Sequence, residues 1–174
     1  MVAYRRYYIK GGTWFFTVNL KDRRSMHLTE NIELLRYSVA VVKQHRPFII
    51  DAWVVLPEHL HCIWTLPHLL TLEKRFFVHN DDDFSSRWRD IKGCFSRTLK
   101  RQPLWQPRFW EHAIRDEDDY RRHVDYIHIN PLKHGWVTRV IDWPFSTFHR
   151  DVQRGLYPPN WAGDSFDLSC GERR

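Results

Sequence analysis

Cysteine is scarce in this 174-residue chain, and its few occurrences exclude two classes of protein. Cys62, Cys94 and Cys170 are odd in number and none is spaced C-x-x-C, so neither a disulfide framework nor a zinc ribbon is expected, and a reducing cytoplasm is. Long apolar runs are missing as well. None approaches the roughly 20 residues of a membrane-spanning helix, so no membrane partner is expected. The opening Tyr4-Arg5-Arg6-Tyr7-Tyr8-Ile9-Lys10 has no apolar segment of the kind a secretory leader carries, so none is expected. Internal repeats and low-complexity segments are also absent.

Aromatic and cationic side chains are plentiful. Nine Trp and seven Tyr accompany a net charge of +6, and the cations are spread along the whole chain. That mixture suits an extended nucleic-acid strand, with phosphates on the cations and bases on the rings, although a plain basic soluble protein has the same composition. The length and the apolar content predict one folded domain over residues 1–174, with a basic aromatic arm at 1–12 and a loose tail from about 160.

The stretch from Asp51 to Pro67 organises the rest. Ala52 to Leu56 reads as a buried strand, Pro57-Glu58 breaks it, and His59 to Leu66 reads as an antiparallel return strand. Thr13 to Leu20 has strand composition, and a helix is predicted over about 30–45, where Ile32, Leu35, Val39 and Val42 recur at helical spacing. Residues 67–83 read as irregular. A second helix, about 84–101, follows the acids Asp81 to Asp83 and carries a stripe of Phe84, Trp88, Ile91, Phe95 and Leu99. Its other side shows Arg87, Arg89, Lys92 and Arg97, a solvated or DNA-facing surface. A strand is expected over about 108–115. The order β-α-β-β-α-β predicts an α+β, ferredoxin-like fold with a four-stranded antiparallel sheet and two helices on one face. A further helix should run from an Asp116-x-x-Asp119 cap to about Asn130, before Pro131, with Gly135 as a stop signal.

His59 and His61 alternate with Leu60, so both imidazoles leave one face of their strand as half of a metal site, or as two wet surface histidines. Tyr126 and Asn130 stand one turn apart on the last helix. If that helix crosses the open face of the sheet, Asn130 can be a third ligand to a cation on the imidazoles, Mg²⁺ or Mn²⁺. Tyr126 is then a nucleophile able to hold a phosphoryl group covalently and return it to a 3′-hydroxyl.

These residues resemble the HUH single-tyrosine transposases, and more narrowly the REP-associated tyrosine transposases of bacteria. The matching stretches are Arg5-Arg6-Tyr7-Tyr8, Gly11-Gly12-Thr-Trp-Phe-Phe16, Ala52 to Pro67, Asp83-Phe-Ser-Ser-Arg-Trp-Arg89, Trp105 to His112, His123 to Pro131, Lys133-His134-Gly135 and Asp142 to Phe148. The resemblance implies an HUH nuclease fold and metal-dependent cleavage of single-stranded DNA through a 5′-phosphotyrosine. The implied substrate is a repetitive extragenic palindrome, met as a hairpin with a short flanking strand. By position His59 and His61 correspond to metal ligands, Tyr126 to the nucleophile and Asn130 to the amide ligand, where many relatives outside this branch carry Gln. The link from Leu69 to Asn80 is longer than the family's, and its role is open.

Arg5, Arg6, Arg23, Arg24, Arg87, Arg89, Lys92 and Arg108 are the candidate DNA-binding cations. The family likeness favours a monomer on the bacterial nucleoid, with a dimer as the alternative. Two other classes stay open: a nucleic-acid-binding sheet with a spent metal site, and a zinc hydrolase built on His59, His61 and another His or Cys. The second lacks any H-E-x-x-H or paired-Cys pattern.

Overall fold

The computed structural model describes residues 11–67, 82–101 and 103–163. In chain order these form β1 (Thr13–Asn19), α1 (His27–Glu30), α2 (Ile32–His45), β2 (Ile49–Val55), β3 (His59–Thr65), α3 (Phe84–Leu99), β4 (Trp110–Ala113), α4 (Glu117–Lys133) and α5 (Phe148–Gln153), with a 3₁₀ turn at Val140–Asp142. The strands make one antiparallel sheet in the order β2-β3-β1-β4. That is the ferredoxin-like arrangement expected from the sequence. The arm, residues 68–81 and the tail from 164 lie outside the described residues.

Strand alternation divides the molecule into two cores. Trp14, Phe16 and Val18 of β1 and Leu60, Cys62 and Trp64 of β3 point to one face, where α2 and α3 cover them. Phe15 of β1 and Ile63 of β3 point to the other, beneath Val124, Tyr126 and Ile127 of α4. At roughly 1.5–3 kcal/mol for each fully buried large apolar side chain, both faces hold the sheet firmly. No helix among the described residues is long and apolar enough to cross a membrane.

The helix caps follow the sequence. Asp83 accepts from the Ser86 amide at 2.9 Å, and Asp116 accepts from the Asp119 amide at 2.8 Å. Three boundaries differ from expectation. The helix expected over 30–45 starts at Ile32, after the separate turn α1, because Asn31 between them leaves helical geometry at φ −120°, ψ 37°, with both its main-chain and side-chain amides donating to the His27 carbonyl. The strand expected over 108–115 shortens to Trp110–Ala113, since it pairs only with β1 and follows Pro107. The helix expected to stop at Asn130 continues to Lys133 with Pro131 inside it. Only one backbone donor is lost so close to the helix end, and buried packing of Pro131 offsets it. Gly135, at φ 73°, then turns the chain out as expected.

The Asp142–Phe148 segment also has a role unseen in the sequence. Ser146 bridges Val54, and the Thr147 amide donates to the Trp53 carbonyl at 2.8 Å, so this segment covers the free edge of β2.

Candidate active site

β3 brings its two histidines to the α4 face, where both are buried. Their ring centres lie 4.9 Å apart, edge to face. His59 Nδ1 lies 2.8 Å from Glu58 Oε1, and His61 Nδ1 lies 2.8 Å from Thr17 Oγ1, across the Thr17–His61 strand pair. Burial alone would raise the Glu58 carboxyl, but the hydrogen bond from His59 holds it below its ordinary value. An ionised carboxylate only accepts, so His59 Nδ1 carries the proton and its Nε2 presents a lone pair. With the Thr17 hydroxyl accepting, His61 is set the same way. Burial holds His61 well below the usual imidazole range, and the nearby His59, His134, Lys133 and Arg23 add to that, so the ring is neutral.

α4 lies across β2 and β3 and supplies the rest. The Tyr126 ring stands 5.1 Å from the His61 ring, edge-on, and 6.0 Å from Phe15. Asn130, one turn on, is fully buried. β3 and α4 therefore bring the two imidazoles and the Tyr126 ring together within one chain, with Asn130 one turn further along α4.

The polar atoms left over test whether a cation fits. His59 Nε2, His61 Nε2 and both Asn130 side-chain heteroatoms are buried without a hydrogen-bond partner among the described residues. Each such group costs roughly 1–3 kcal/mol unless something binds it. Two imidazole nitrogens and an amide oxygen, with each ring's other nitrogen beside a fixed oxygen, are the donor types that a divalent cation would take. The residues fit.

A second group, His112, Asp119 and His123, also brings its ligand atoms within 4.8 Å of one another. There, however, Asp119 Oδ2 already accepts from His112 Nε2 at 2.8 Å and from Arg115 Nε at 3.0 Å, while His123 Nδ1 bonds the Asp119 carbonyl at 2.7 Å. The cluster satisfies itself.

Thr17, Glu58, Lys133 and His134 were not among the residues expected at the site. Lys133 places its ammonium 4.8 Å from the Tyr126 ring centre, and the His134 ring is 5.3 Å from that of His59. Glu58 beside the His-x-His pattern and the basic pair after Pro131 were visible signals; the cross-strand role of Thr17 depends on register and was not.

The expected DNA-binding cations scatter. Arg5 and Arg6 lie outside the described residues. Arg23 bonds Asn19 Oδ1 and sits 3.7 Å from Glu58, close to the imidazoles. Arg24, Arg89 and Arg108 are exposed, and Lys92 is half-buried. Arg87 is a correction. It is fully buried, and its guanidinium donates to the main-chain carbonyls of Arg46, Asp83 and Pro47, so it ties the start of α3 to the α2–β2 loop instead of facing solvent.

No family model matches the chain. Two relatives do. The REP-associated tyrosine transposase of Escherichia coli (strain K12) is 64% identical over 173 residues, covering 99% of this chain and 98% of the relative. A protein of Haemophilus influenzae with the same family name is 39% identical over 178 residues, covering 94% and 95%. Among solved structures, a REP-associated tyrosine transposase bound to a REP hairpin superposes with a TM-score of 0.88, at 64% identity, over 100% of this chain and 99% of that one. With this likeness along its whole length, the chain belongs to the REP-associated tyrosine transposases, enzymes of the single-tyrosine type.

Proposed function

We propose that this protein is a metal-dependent endonuclease and strand transferase for single-stranded DNA, acting on repetitive extragenic palindromic hairpins through a 5′-phosphotyrosine. The observation that carries this reading is the Tyr126 ring 5.1 Å from that of His61, with unpartnered buried nitrogens on both imidazoles and an unpartnered buried amide one turn further along the same helix. His59, His61 and Asn130 would hold Mg²⁺ or Mn²⁺, and such an ion supplies Lewis-acid neutralisation of charge on a phosphoryl oxygen. Tyr126 Oη forms a bond to phosphorus, the bond to the departing 3′-oxygen breaks, and the phenol proton is balanced by one taken up at that 3′-hydroxyl. No water is consumed, so the ester can be returned to an incoming 3′-hydroxyl.

The relative bound to a REP hairpin supports the substrate. Arg23, Arg24, Arg89, Lys92 and Arg108, with Arg5 and Arg6 of the arm, are the cations offered to its phosphates. One chain holds nucleophile and ligands together, which supports a single-domain monomer acting without a second copy. A chromosomal substrate places it in the cytoplasm, on the nucleoid.

Incubation with end-labelled REP hairpin and Mn²⁺ should give a covalent protein–DNA adduct that is absent in Tyr126→Phe and absent with chelator. An adduct on the phenylalanine variant would remove the nucleophile assignment. Tight binding that ignores metal, with no adduct, would make the protein a binding module instead.

A further inference from the structure

Where α3 meets the segment running into β4, a cavity of about 500 Å³ opens, walled by Arg89, Lys92, Gly93, Trp105, Gln106 and Phe109. Lys92 Nζ donates to the Gln106 carbonyl at 3.2 Å and stands 5.8 Å from the centre of the Trp105 ring and 5.3 Å from that of Phe109. Burial among these rings lowers its pKa to about 8, and no carboxylate among the described residues pairs with it. A half-buried ammonium held by one carbonyl is short of an anion. The indole N–H of Trp105 is likewise buried without a partner among the described residues.

Gly93 sits in the middle of α3, where glycine is disfavoured relative to alanine. A Cβ there would meet only the movable end of Arg97, at 3.1 Å, so the helix itself does not demand glycine. The missing side chain leaves the cavity wall open. The cavity lies on the α3 side of the sheet, beside the end of β1 that pairs with His59. Trp105 bridges Leu20, the Gln106 amide donates to the Asn19 carbonyl at 3.0 Å, and Asn19 is the cross-strand partner of His59. The Gln106 backbone therefore stands two strand spacings, about 10 Å, from the His59 backbone, with the imidazoles on the opposite face of the sheet.

We propose that this cavity receives one unpaired nucleotide of the DNA strand leading to the imidazole pair, its phosphate against Lys92 and Arg89 and its base against the rings of Trp105 and Phe109. A cation set between two rings matches a nucleotide's anion and π-face together, which neither a free anion nor an apolar ligand would use in full. The inference rests on the proposed reading that single-stranded DNA is the substrate, and it adds where the strand flanking the hairpin is read.

The test uses two hairpins with the same stem, one carrying an unpaired flanking strand and one blunt, bound by the full-length Tyr126→Phe protein so that no cleavage intervenes. In that background Lys92→Met removes the cation, and Gly93→Leu keeps it but fills the space, so a folding defect in one need not afflict the other. Each should weaken binding of the flanked hairpin roughly tenfold, within the range for loss of one stacked base. Lys92→Met should also flatten its log–log salt dependence by about 0.7. Blunt-hairpin affinity should hold in Gly93→Leu, and Lys92→Met should weaken the flanked hairpin well beyond the blunt one. Equal loss on both hairpins, or no loss on either, overturns the proposal. A photoreactive base in the flanking strand should cross-link within residues 105–109, and labelling confined to other segments overturns it as well. Because binding is read without the phenol, failure of adduct formation would leave this result standing, while intact adduct formation without flank selectivity would remove the cavity alone.

Discussion

On the sheet face under α2 and α3, the side chains leaving β1 and β3 are Trp14, Phe16, Val18, Leu60, Cys62 and Trp64; on the face under α4 they are Phe15, Thr17, His59, His61 and Ile63. The first set interlocks. Trp64 and Trp88 stack at 4.2 Å between ring centres, 16° from parallel, and Phe48 closes on Trp64 at 4.2 Å. The second set is as deeply buried, yet it holds two bare imidazole nitrogens and a bare amide. The first face also leaves three indole N–H groups, of Trp14, Trp64 and Trp88, buried without a partner among the described residues, so the faces differ in the kind of group: imidazole nitrogens and an amide oxygen can ligate a cation, and an indole N–H cannot. The two faces divide the labour: one holds the sheet, and the other spends stability on a site.

The comparison breaks most visibly with one substitution on each face. Trp88→Ala should lose about 3–5 kcal/mol of unfolding free energy, because the stacked ring leaves a cavity that α3 and the sheet cannot close. Asn130→Leu, of similar volume, should move the other way, gaining about 1–3 kcal/mol in metal-free protein as the unbonded amide disappears, while adduct formation is lost. Urea unfolding followed by tryptophan fluorescence reads both. A destabilised Asn130→Leu would mean that the amide is a structural member of the α4 face and no ligand.

A finer division lies inside the α4 face, between groups that would bind a cation and groups that aim them. Glu58→Gln and Thr17→Val leave both imidazoles present but remove the oxygens that fix their Nδ1 atoms. Each should weaken Mn²⁺ binding about 10–100-fold, against near-complete loss for His61→Ala. Titration calorimetry without DNA separates these effects from catalysis. Unchanged Mn²⁺ affinity in both variants would show that ring orientation is set by packing against Phe15 and Tyr126 instead.

Legibility followed the same division. Apolar periodicity exposed the sheet, α2, α3 and the interlocked core, because those features depend on pattern alone. The imidazole pair was legible from period-2 alternation, and Tyr126 with Asn130 from helical spacing. What escaped depends on contacts between distant segments. Arg87 looks like any surface cation on a helical wheel, and only the arrival of the Arg46 and Pro47 carbonyls makes it internal. Thr17 acquires its part through a register that no local rule sets. The capping of β2 by Ser146 and Thr147 joins residues more than ninety positions apart in the chain.

The smallest effect follows from the fact that all four buried histidines of the described residues, His59, His61, His123 and His128, sit on or under α4 and none under α2 and α3. Burial holds His61, His123 and His128 below the ordinary imidazole value. Unfolded, each titrates near 6.5, so below that pH the unfolded chain takes up protons that the folded one refuses. Their contribution is therefore complete above about pH 6.5 and is lost as pH falls, by at most about 1.4 kcal/mol per pH unit for each imidazole. The carboxylates of this face behave differently. Burial alone would raise Asp119 and Asp151, but hydrogen bonds from Arg115 and His112, and from His128 and Arg150, hold both below their ordinary value. Their contribution is kept above an unfolded value of about 4 and fails only below it. Between about pH 4 and 6.5 the imidazoles are thus opposed by one carboxyl, Asp51, which burial raises above its ordinary value. Urea midpoints of metal-free protein should fall steadily across that interval, and His128→Gln, which removes one titrating ring next to Asp151, should make the fall shallower by at most one proton's worth. A slope identical to that of the unsubstituted protein would mean that His128 already carries its proton in the fold, paired with Asp151, and that the pH-sensitive part of the α4 face is confined to the rings nearest the sheet.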